Sequence, residues 1–208
     1  MSQRVVDYYL TITSPWTFLG HDEFSQIAKE AGVTINVKPV DLGAVFQISG
    51  GLPLPQRPIQ RQRYRLFDLQ RWARKRGEPL NLHPKYFPAD PNLGNKAVLA
   101  AADAGLDAMA FAGRIMRGVW CDERNAADPD YLREAAAAVG IDGAAVLKAA
   151  ESAATAARYQ ELTEEAKAVS VFGSPFYVID GEPFWGQDRL ELVRDVLLGG
   201  FETIPEPA

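Results

Sequence analysis

A pair of hydroxyl residues stands where the first predicted strand meets the first predicted helix. Ser14 and Thr17 lie in the sequence Ser-Pro-Trp-Thr, after a run rich in β-branched and aromatic residues over 5–12 and before an amphipathic run over 18–31. Unpaired N–H groups and the macrodipole at a helix N-terminus favour negative charge. The junction is therefore predicted to stabilise a thiolate, to which a serine hydroxyl can donate a hydrogen bond.

The spacing of Ser14 and Thr17 equals that of the two cysteines in the Cys-x-x-Cys motif of thioredoxin-like oxidoreductases. In those proteins the first cysteine stands at the helix N-terminus, which favours its thiolate. Neither residue here can form a disulfide, and Cys121, the single cysteine, has no partner for an internal one. A protein with such a site would have to use the thiol of another molecule.

A second candidate segment lies late in the chain. Ser174 and Pro175 come directly before a short predicted strand, where thioredoxin-like folds have a cis-proline that faces the start of the first helix. The peptide bond before Pro175 is therefore expected to be cis. The Ser174 backbone would then be open to an extended peptide. Taken alone, a Ser-Pro pair is more often an ordinary turn.

A third candidate segment is the start of the last predicted helix, at Gln187 and Asp188. Asp188 could act as a plain helix cap or first-turn acid. It could also hold the ammonium of an amino-acid head group whose carboxylate lies against the helix N–H groups. The γ-glutamyl end of glutathione carries both of these charges.

Periodicity and turn signals predict the elements that must position these residues. The order is β-α-β, then roughly five helices, then β-β-α, which predicts an α/β, thioredoxin-like sheet with an inserted all-helical domain. Residues 1–45 and 170–208 would form the thioredoxin-like domain and 46–169 the insertion. Residues 41–58, which contain several glycines and prolines, are expected to be rich in loop. The remaining predicted strands are 34–40, 176–179 and 182–185, and the helices are 59–76, 94–104, 108–120, 131–139, 143–150, 153–168 and 189–198.

Composition limits the functional class. A net charge of −5 and a pI of about 5.1 argue against a general nucleic-acid binder. No apolar run of about 18 residues and no signal-peptide pattern occur, so a soluble, cytoplasmic protein without a membrane partner is expected.

No metal site or reactive cysteine is expected. His21 and His83 lack the neighbouring ligand residues of a metal site. Cys121 is expected to be a small apolar residue and not a nucleophile.

The predicted helix over 59–76 is strongly basic. A solvated helix face is the usual explanation of such a run, and the other is attraction of an anionic cofactor and substrate. The basic residues in and just before this helix are Arg57, Arg61, Arg63, Arg65, Arg71, Arg74, Lys75 and Arg76.

The motifs over 14–16, 171–181 and 184–190 together resemble the 2-hydroxychromene-2-carboxylate isomerase family, close kin of the kappa-class glutathione transferases. The resemblance extends to 38–46 and to 68–73, and so spans nearly the whole chain. It implies a DsbA-like fold of the kappa-class type with inserted helices. It also implies glutathione as cofactor and a homodimer.

The resemblance implies roles for individual residues. Ser14 would be the catalytic residue that serves the glutathione sulfur. Two departures affect the binding residues: Gly51 stands where the family commonly has asparagine, and Arg61 where it commonly has lysine. Gly51 cannot donate a side-chain hydrogen bond, and Arg61 keeps the charge in a different geometry. The implied cofactor-binding residues are Ser14, Trp16, Arg61, Ser174, Pro175, Gln187 and Asp188.

The implied activity is a glutathione-dependent cis-trans isomerisation in aromatic compound catabolism. The substrates would be 2-hydroxychromene-2-carboxylate and trans-o-hydroxybenzylidenepyruvate-like α-keto acids. The thiolate would add to the conjugated α-keto acid, the former double bond would rotate, and expulsion of glutathione would restore it. Two alternatives stay open: a kappa-class-like glutathione transferase or peroxidase, and a non-catalytic thioredoxin-like binding module.

Overall fold

The computed structural model describes residues 4–206, in which a mixed sheet has the strand order β2-β1-β3-β4. Strand β1 is parallel to β2 and antiparallel to β3, and β3 is antiparallel to β4. Tyr9, near the end of β1, is paired with Phe176, the first residue of β3. The segment that follows β1 and the segment that precedes β3 therefore lie at the same edge of the sheet. The strands are β1 (Val5–Leu10), β2 (Thr34–Pro39), β3 (Phe176–Ile179) and β4 (Glu182–Trp185).

The first helix lies between β1 and β2 in the chain, the last helix follows β4, and the other helices lie between β2 and β3. This confirms the predicted order of β-α-β, helical insertion and β-β-α. The helices are α1 (Pro15–Ala31), α2 (Leu42–Ser49), α3 (Ile59–Arg76), α4 (Asn92–Asp103), α5 (Ala108–Trp120), α6 (Pro129–Ala137), α7 (Gly143–Ala150), α8 (Ala153–Ala168) and α9 (Leu190–Leu197), with 3₁₀ turns at Leu54–Gln56 and Gln187–Arg189. The boundary proposed between residues 45 and 46 falls inside α2, and the division into two domains stays a prediction.

The prediction of a loop-rich segment over 41–58 is wrong for its first half, which forms α2. The Asp41 carboxylate accepts the Ala44 N–H at 3.1 Å, and Gly50 ends the helix with a φ of 74°. Val45 of α2 is buried in an apolar cluster with Tyr9. Glycine and proline are concentrated after this helix, so the composition of the whole segment hid the local start signal at Asp41.

The two faces of β1 pack against different layers of helices. Tyr8 contacts Phe24 of α1 and stacks on Tyr177 of β3, with ring centroids 4.8 Å and 5.3 Å away. Tyr9 faces the other side, in the cluster that contains Leu162 of α8. Burial on both faces holds the end of β1 in place, and α1 starts a few residues later. No helix within residues 4–206 combines the length and apolar composition needed to cross a bilayer.

Candidate active site

Ser14 is the N-cap of α1, and Pro15 takes the first helical position. The Ser14 Oγ accepts the Thr17 N–H at 3.2 Å and donates to the backbone oxygen of Ser174 at 3.0 Å. Pro15 has no N–H group, and the N–H of Trp16 has no partner within residues 4–206. The start of α1 therefore offers one unpaired N–H group beside the Ser14 hydroxyl. Trp16 itself is half-buried against the main core.

The structure brings Ser174 to the start of α1, although the two serines are 160 residues apart in the chain. The Ser174–Pro175 bond is cis, which confirms the expectation from the sequence. Ser174 Oγ accepts the Thr11 N–H at 3.0 Å and lies 2.7 Å from Thr17 Oγ1. The Ser174 backbone N–H donates to no described residue. Its side chain is thus held in place while its N–H group stays available.

Asn95 of α4 is a fully buried residue behind this junction that the sequence analysis missed. Its Oδ1 accepts the Ile12 N–H at 3.0 Å. Its Nδ2 lies 3.2 Å from Thr11 Oγ1, 3.2 Å from Val40 O and 3.0 Å from the Tyr159 hydroxyl. A satisfied buried amide of this kind fixes the loop that leads into α1. The sequence feature that could have identified Asn95 is a single amide side chain on an otherwise apolar face of a predicted helix.

Gln187 is buried in the 3₁₀ turn before α9. Its Oε1 accepts hydrogen bonds from Arg76 Nη2 at 2.9 Å and Nε at 3.2 Å. Gly20 allows α1 to approach this turn, because a Cβ at residue 20 would lie 2.6 Å from the Gln187 Cβ. The Pro175 carbonyl accepts the Gly186 N–H at 3.0 Å and ties the turn to the Ser174 segment. The Gln187 oxygen is thus occupied by Arg76, and its role in cofactor binding stays a prediction.

Asp188, in contrast to Gln187, is exposed. Its Oδ2 lies 2.8 Å from Arg189 Nη1, and it makes no capping hydrogen bond to the 3₁₀ turn or to α9. It remains in the position of a first-turn acid, with its carboxylate open to solvent. A cationic ligand group could therefore reach it.

The two departures from the family pattern have different surroundings. A Cβ at Gly51 would lie 2.1 Å from Cδ1 of Phe46, so the Phe46 ring fills the space that a side chain would need. Arg61 is exposed on α3 and forms no ion pair within the described part of the chain. Burial, and secondarily the charge of Arg61, lowers the pKa of Arg57.

Two further titratable residues named from the sequence, His21 and Cys121, have shifted pKa values. Burial lowers the pKa of His21, whose ring nitrogens lie 3.1 Å from the Tyr8 hydroxyl and 2.9 Å from the Met109 oxygen. Burial raises the pKa of the Cys121 thiol to about 11, which favours the protonated form near neutral pH. Residues 4–206 contain no group of three or more histidine, cysteine or acidic residues arranged to hold a metal ion.

Comparison with known proteins matches residues 5–198 to the DSBA-like thioredoxin domain. The 2-hydroxychromene-2-carboxylate isomerase of Pseudomonas putida is 30% identical over 93% of this chain and 94% of the relative. That of Sphingobium xenophagum is 28% identical over 94% of this chain and 98% of the relative. A solved 2-hydroxychromene-2-carboxylate isomerase structure superposes with a TM-score of 0.78 at 28% identity, covering 93% of this chain and 94% of the other.

These matches extend over nearly the whole chain and include both the sheet and the inserted helices. They confirm the thioredoxin-like fold of the DsbA type and the resemblance drawn from the sequence motifs. The chain belongs to the DSBA-like thioredoxin domain family and, within it, to the family of 2-hydroxychromene-2-carboxylate isomerases.

Proposed function

We propose that this protein is a glutathione-dependent isomerase that interconverts 2-hydroxychromene-2-carboxylate and the open-chain trans-o-hydroxybenzylidenepyruvate. Membership of the isomerase family supports the reaction. The observation that carries the site is the hydrogen bond between Ser14 Oγ and the Ser174 backbone oxygen. It joins a hydroxyl donor at a helix N-terminus to a backbone segment with an unpaired N–H group.

The chemistry of this donor set fits glutathione. The cysteinyl residue of glutathione has one amide N–H and one C=O, which match the C=O and the unpaired N–H of Ser174. The Ser14 hydroxyl has a single hydrogen, which goes to Ser174 O in the structure. A ligand N–H that takes over this oxygen would leave the hydroxyl hydrogen for the sulfur. Asp188 would then meet the γ-glutamyl ammonium.

The main task of the site would be to hold the thiol as a thiolate. Glutathione would supply the sulfur that adds to the conjugated α-keto acid and leaves after bond rotation. A thiol of pKa about 8.5 is about 3% ionised at pH 7, and lowering this pKa by two units needs about 2.7 kcal/mol. A helix terminus contributes about 0.3 to 1 kcal/mol. A hydrogen bond from Ser14 to a charged sulfur contributes about 1.5 to 3 kcal/mol, so the two together give about 1.8 to 4 kcal/mol, a range that includes the free energy required.

We also propose that the protein works as a cytoplasmic homodimer. The family resemblance supports the dimer, and a single cysteine with no disulfide partner fits a reducing compartment. Light scattering on the purified protein measures the oligomeric state directly. A monomer at assay concentrations would contradict this proposal and would leave the assignment of the site unchanged.

The experiment that tests the function is an assay of trans-o-hydroxybenzylidenepyruvate with and without glutathione. We expect absorbance changes that depend on glutathione, with glutathione recovered unmodified at equilibrium. Accumulation of a glutathione adduct, detected by mass spectrometry, would indicate a transferase instead. A protein that binds no glutathione by calorimetry and catalyses no isomerisation would be a binding module.

Asp188→Asn is expected to raise the glutathione concentration needed for half-maximal activity by about two- to fivefold. The reason is the loss of an exposed charge pair with the γ-glutamyl ammonium, which is worth about 0.2 to 1 kcal/mol. Turnover should recover at high glutathione. Glu191→Gln, which removes another exposed acid at the start of α9, is the control. Equal half-saturation values in Asp188→Asn, the control variant and the unmodified protein would exclude this contact.

A further inference from the structure

Arg65 of α3 is a buried cation without a counter-ion. The residue is 9% exposed and forms no hydrogen bond or ion pair with any residue from 4 to 206. Arg76 of the same helix is also well covered, but it pairs with Glu23 and with Gln187. Burial, together with the charge of Arg57, lowers the pKa of Arg65 to about 10, so it remains positively charged at neutral pH. Buried charges are normally paired, and this one lacks an anion.

Two aromatic rings lie beside the Arg65 guanidinium. The guanidinium carbon lies 5.6 Å from the ring centre of Phe87 and 6.0 Å from that of Trp120, and the two rings are 4.8 Å apart. Among residues 4–206, the polar side-chain atoms that are fully buried and make no hydrogen bond are Trp120 Nε1 and the Tyr177 hydroxyl. The Arg65 nitrogens also make no hydrogen bond but are not in this set, so they retain contact with solvent. We call Arg65, Phe87 and Trp120 the arginine platform.

Helix α5 runs antiparallel to α1. The Met109 oxygen, near the start of α5, lies 2.9 Å from His21 Nε2. Further along α5, Arg117 lines one cavity together with Phe18, which precedes His21 in α1. The end of α5 therefore points toward the start of α1.

The helix rise places the platform at the level of the thiol site. Trp120 lies about 16 Å from Met109 along α5, whereas Ser14 lies about 10 Å from His21 along α1. Trp120 therefore lies several ångströms beyond the start of α1. A sulfur that accepts a hydrogen bond from the Ser14 hydroxyl would also lie at the start of α1.

The ion pair between α3 and α1 gives a placement of Arg65 that agrees with this one. Arg76, near the end of α3, forms an ion pair with Glu23 of α1. Along their helices, Arg65 lies about 16 Å before Arg76, and Ser14 lies about 13 Å before Glu23. Because Arg65 also contacts Trp120, α3 runs in the same direction as α1. Measured along the axis of α1, Arg65 therefore lies just beyond Ser14.

We propose that Arg65 binds the carboxylate of the aromatic substrate, with the half-buried ring of Phe87 as the apolar surface beside it. Trp120 is fully buried and packs against Phe87, so it supports this ring without touching the substrate. The inference rests on the proposed function and deepens it by assigning substrate recognition to a residue. A guanidinium holds a carboxylate with two parallel hydrogen bonds, and binding is stronger where water is scarce. The glycyl carboxylate of glutathione has the same chemistry, so the test must separate the two anions.

The test compares Arg65→Met with Arg63→Met, a control that removes an exposed arginine from the same helix. At saturating glutathione, kcat/KM is measured for trans-o-hydroxybenzylidenepyruvate and for its methyl ester. We expect Arg65→Met to lose at least thirtyfold on the acid and less than threefold on the ester. Arg63→Met should match the unmodified protein on both. Glutathione affinity by calorimetry should change by less than twofold in either variant.

A binding measurement makes the inference independent of turnover. The probe is 3-phenylpropanoate, which has an aromatic ring and a carboxylate but no double bond to accept a thiol. Its affinity should fall at least tenfold in Arg65→Met and stay unchanged in Arg63→Met. If the unmodified protein shows no isomerase activity but this loss of probe affinity is observed, the carboxylate subsite is supported and the proposed reaction is wrong.

Several results would overturn the inference. These are unchanged probe binding in Arg65→Met, equal losses on acid and ester, and a loss of glutathione affinity that accounts for the loss of activity. If Arg65→Met does not fold, Arg65→Lys replaces it, because lysine keeps the charge but lacks the planar fork of hydrogen-bond donors. We expect Arg65→Lys to lower kcat/KM less than Arg65→Met, and only for the acid. The unmodified protein gives a test without any substitution, because equal kcat/KM for acid and ester would also contradict the assignment.

Discussion

Ser14→Ala is expected to lower turnover at least tenfold at saturating glutathione and to weaken glutathione binding by no more than about fourfold at pH 7. The hydroxyl would contact the sulfur and no other part of the ligand, so its loss removes a charge-assisted bond worth about 1.5 to 3 kcal/mol. Each 1.4 kcal/mol corresponds to about a tenfold change in rate. The thiol pKa should rise accordingly, and a titration of thiolate absorbance in the complex measures it.

The neighbouring hydroxyls provide the controls for this prediction. Thr17→Ala removes a buried group that lies 2.7 Å from Ser174 Oγ and should lower turnover much less than Ser14→Ala. Thr13→Ala removes a half-buried hydroxyl next to Ser14 and should have little effect. Ser14→Ala also removes the acceptor of the Thr17 N–H, at a cost in folding stability of about 1 kcal/mol. If Ser14→Ala retains full turnover, the thiolate role is excluded.

Asn95→Ala is expected to lower the free energy of unfolding by about 3 kcal/mol or more. The substitution leaves the Ile12 N–H buried without its acceptor and removes the partner of the Tyr159 hydroxyl, and each such loss costs about 1 to 3 kcal/mol. For a chain of this size the melting temperature should fall by about 6 to 12 °C. Urea denaturation followed by circular dichroism measures the change.

Asn92→Ala is the matched control, because Asn92 belongs to the same helix and is exposed. Its effect on unfolding should stay within about 0.5 kcal/mol. Since Asn95 holds the loop between β1 and α1, Asn95→Ala should also weaken glutathione binding in protein that is still folded. Equal denaturation midpoints in the two variants would show that the buried amide contributes nothing to this loop.

Local signals in the sequence were enough to predict most of the elements. The bounds of α3, α5, α7, α8, β3 and β4 agree with the prediction, because helix and strand periodicity and turn residues act within a few positions of the chain. The same locality explains the error over 41–58, where the composition of a long segment was given more weight than the cap at Asp41.

The position of Ser14 before a helix was also visible in the sequence. Ser174 stands before a predicted strand, where thioredoxin-like folds have a cis-proline that faces the start of the first helix. The structure shows that the two serines meet, and the antiparallel pairing of β1 with β3 is the physical reason. No local pattern contains this contact. It depends on which strands become neighbours in the sheet.

Residue types and local structure were thus determined by the sequence itself, whereas burial and long-range partners were decided by the tertiary structure. Asn95 looked like one polar residue in an alanine-rich helix, and the packing of α4 against the end of β1 makes it a hub of buried hydrogen bonds. Arg65 looked like one of several basic residues on a solvated face. The contact of α3 with Phe87 and with the end of α5 buries its charge without an anion, because the environment of a side chain is set by elements distant in sequence.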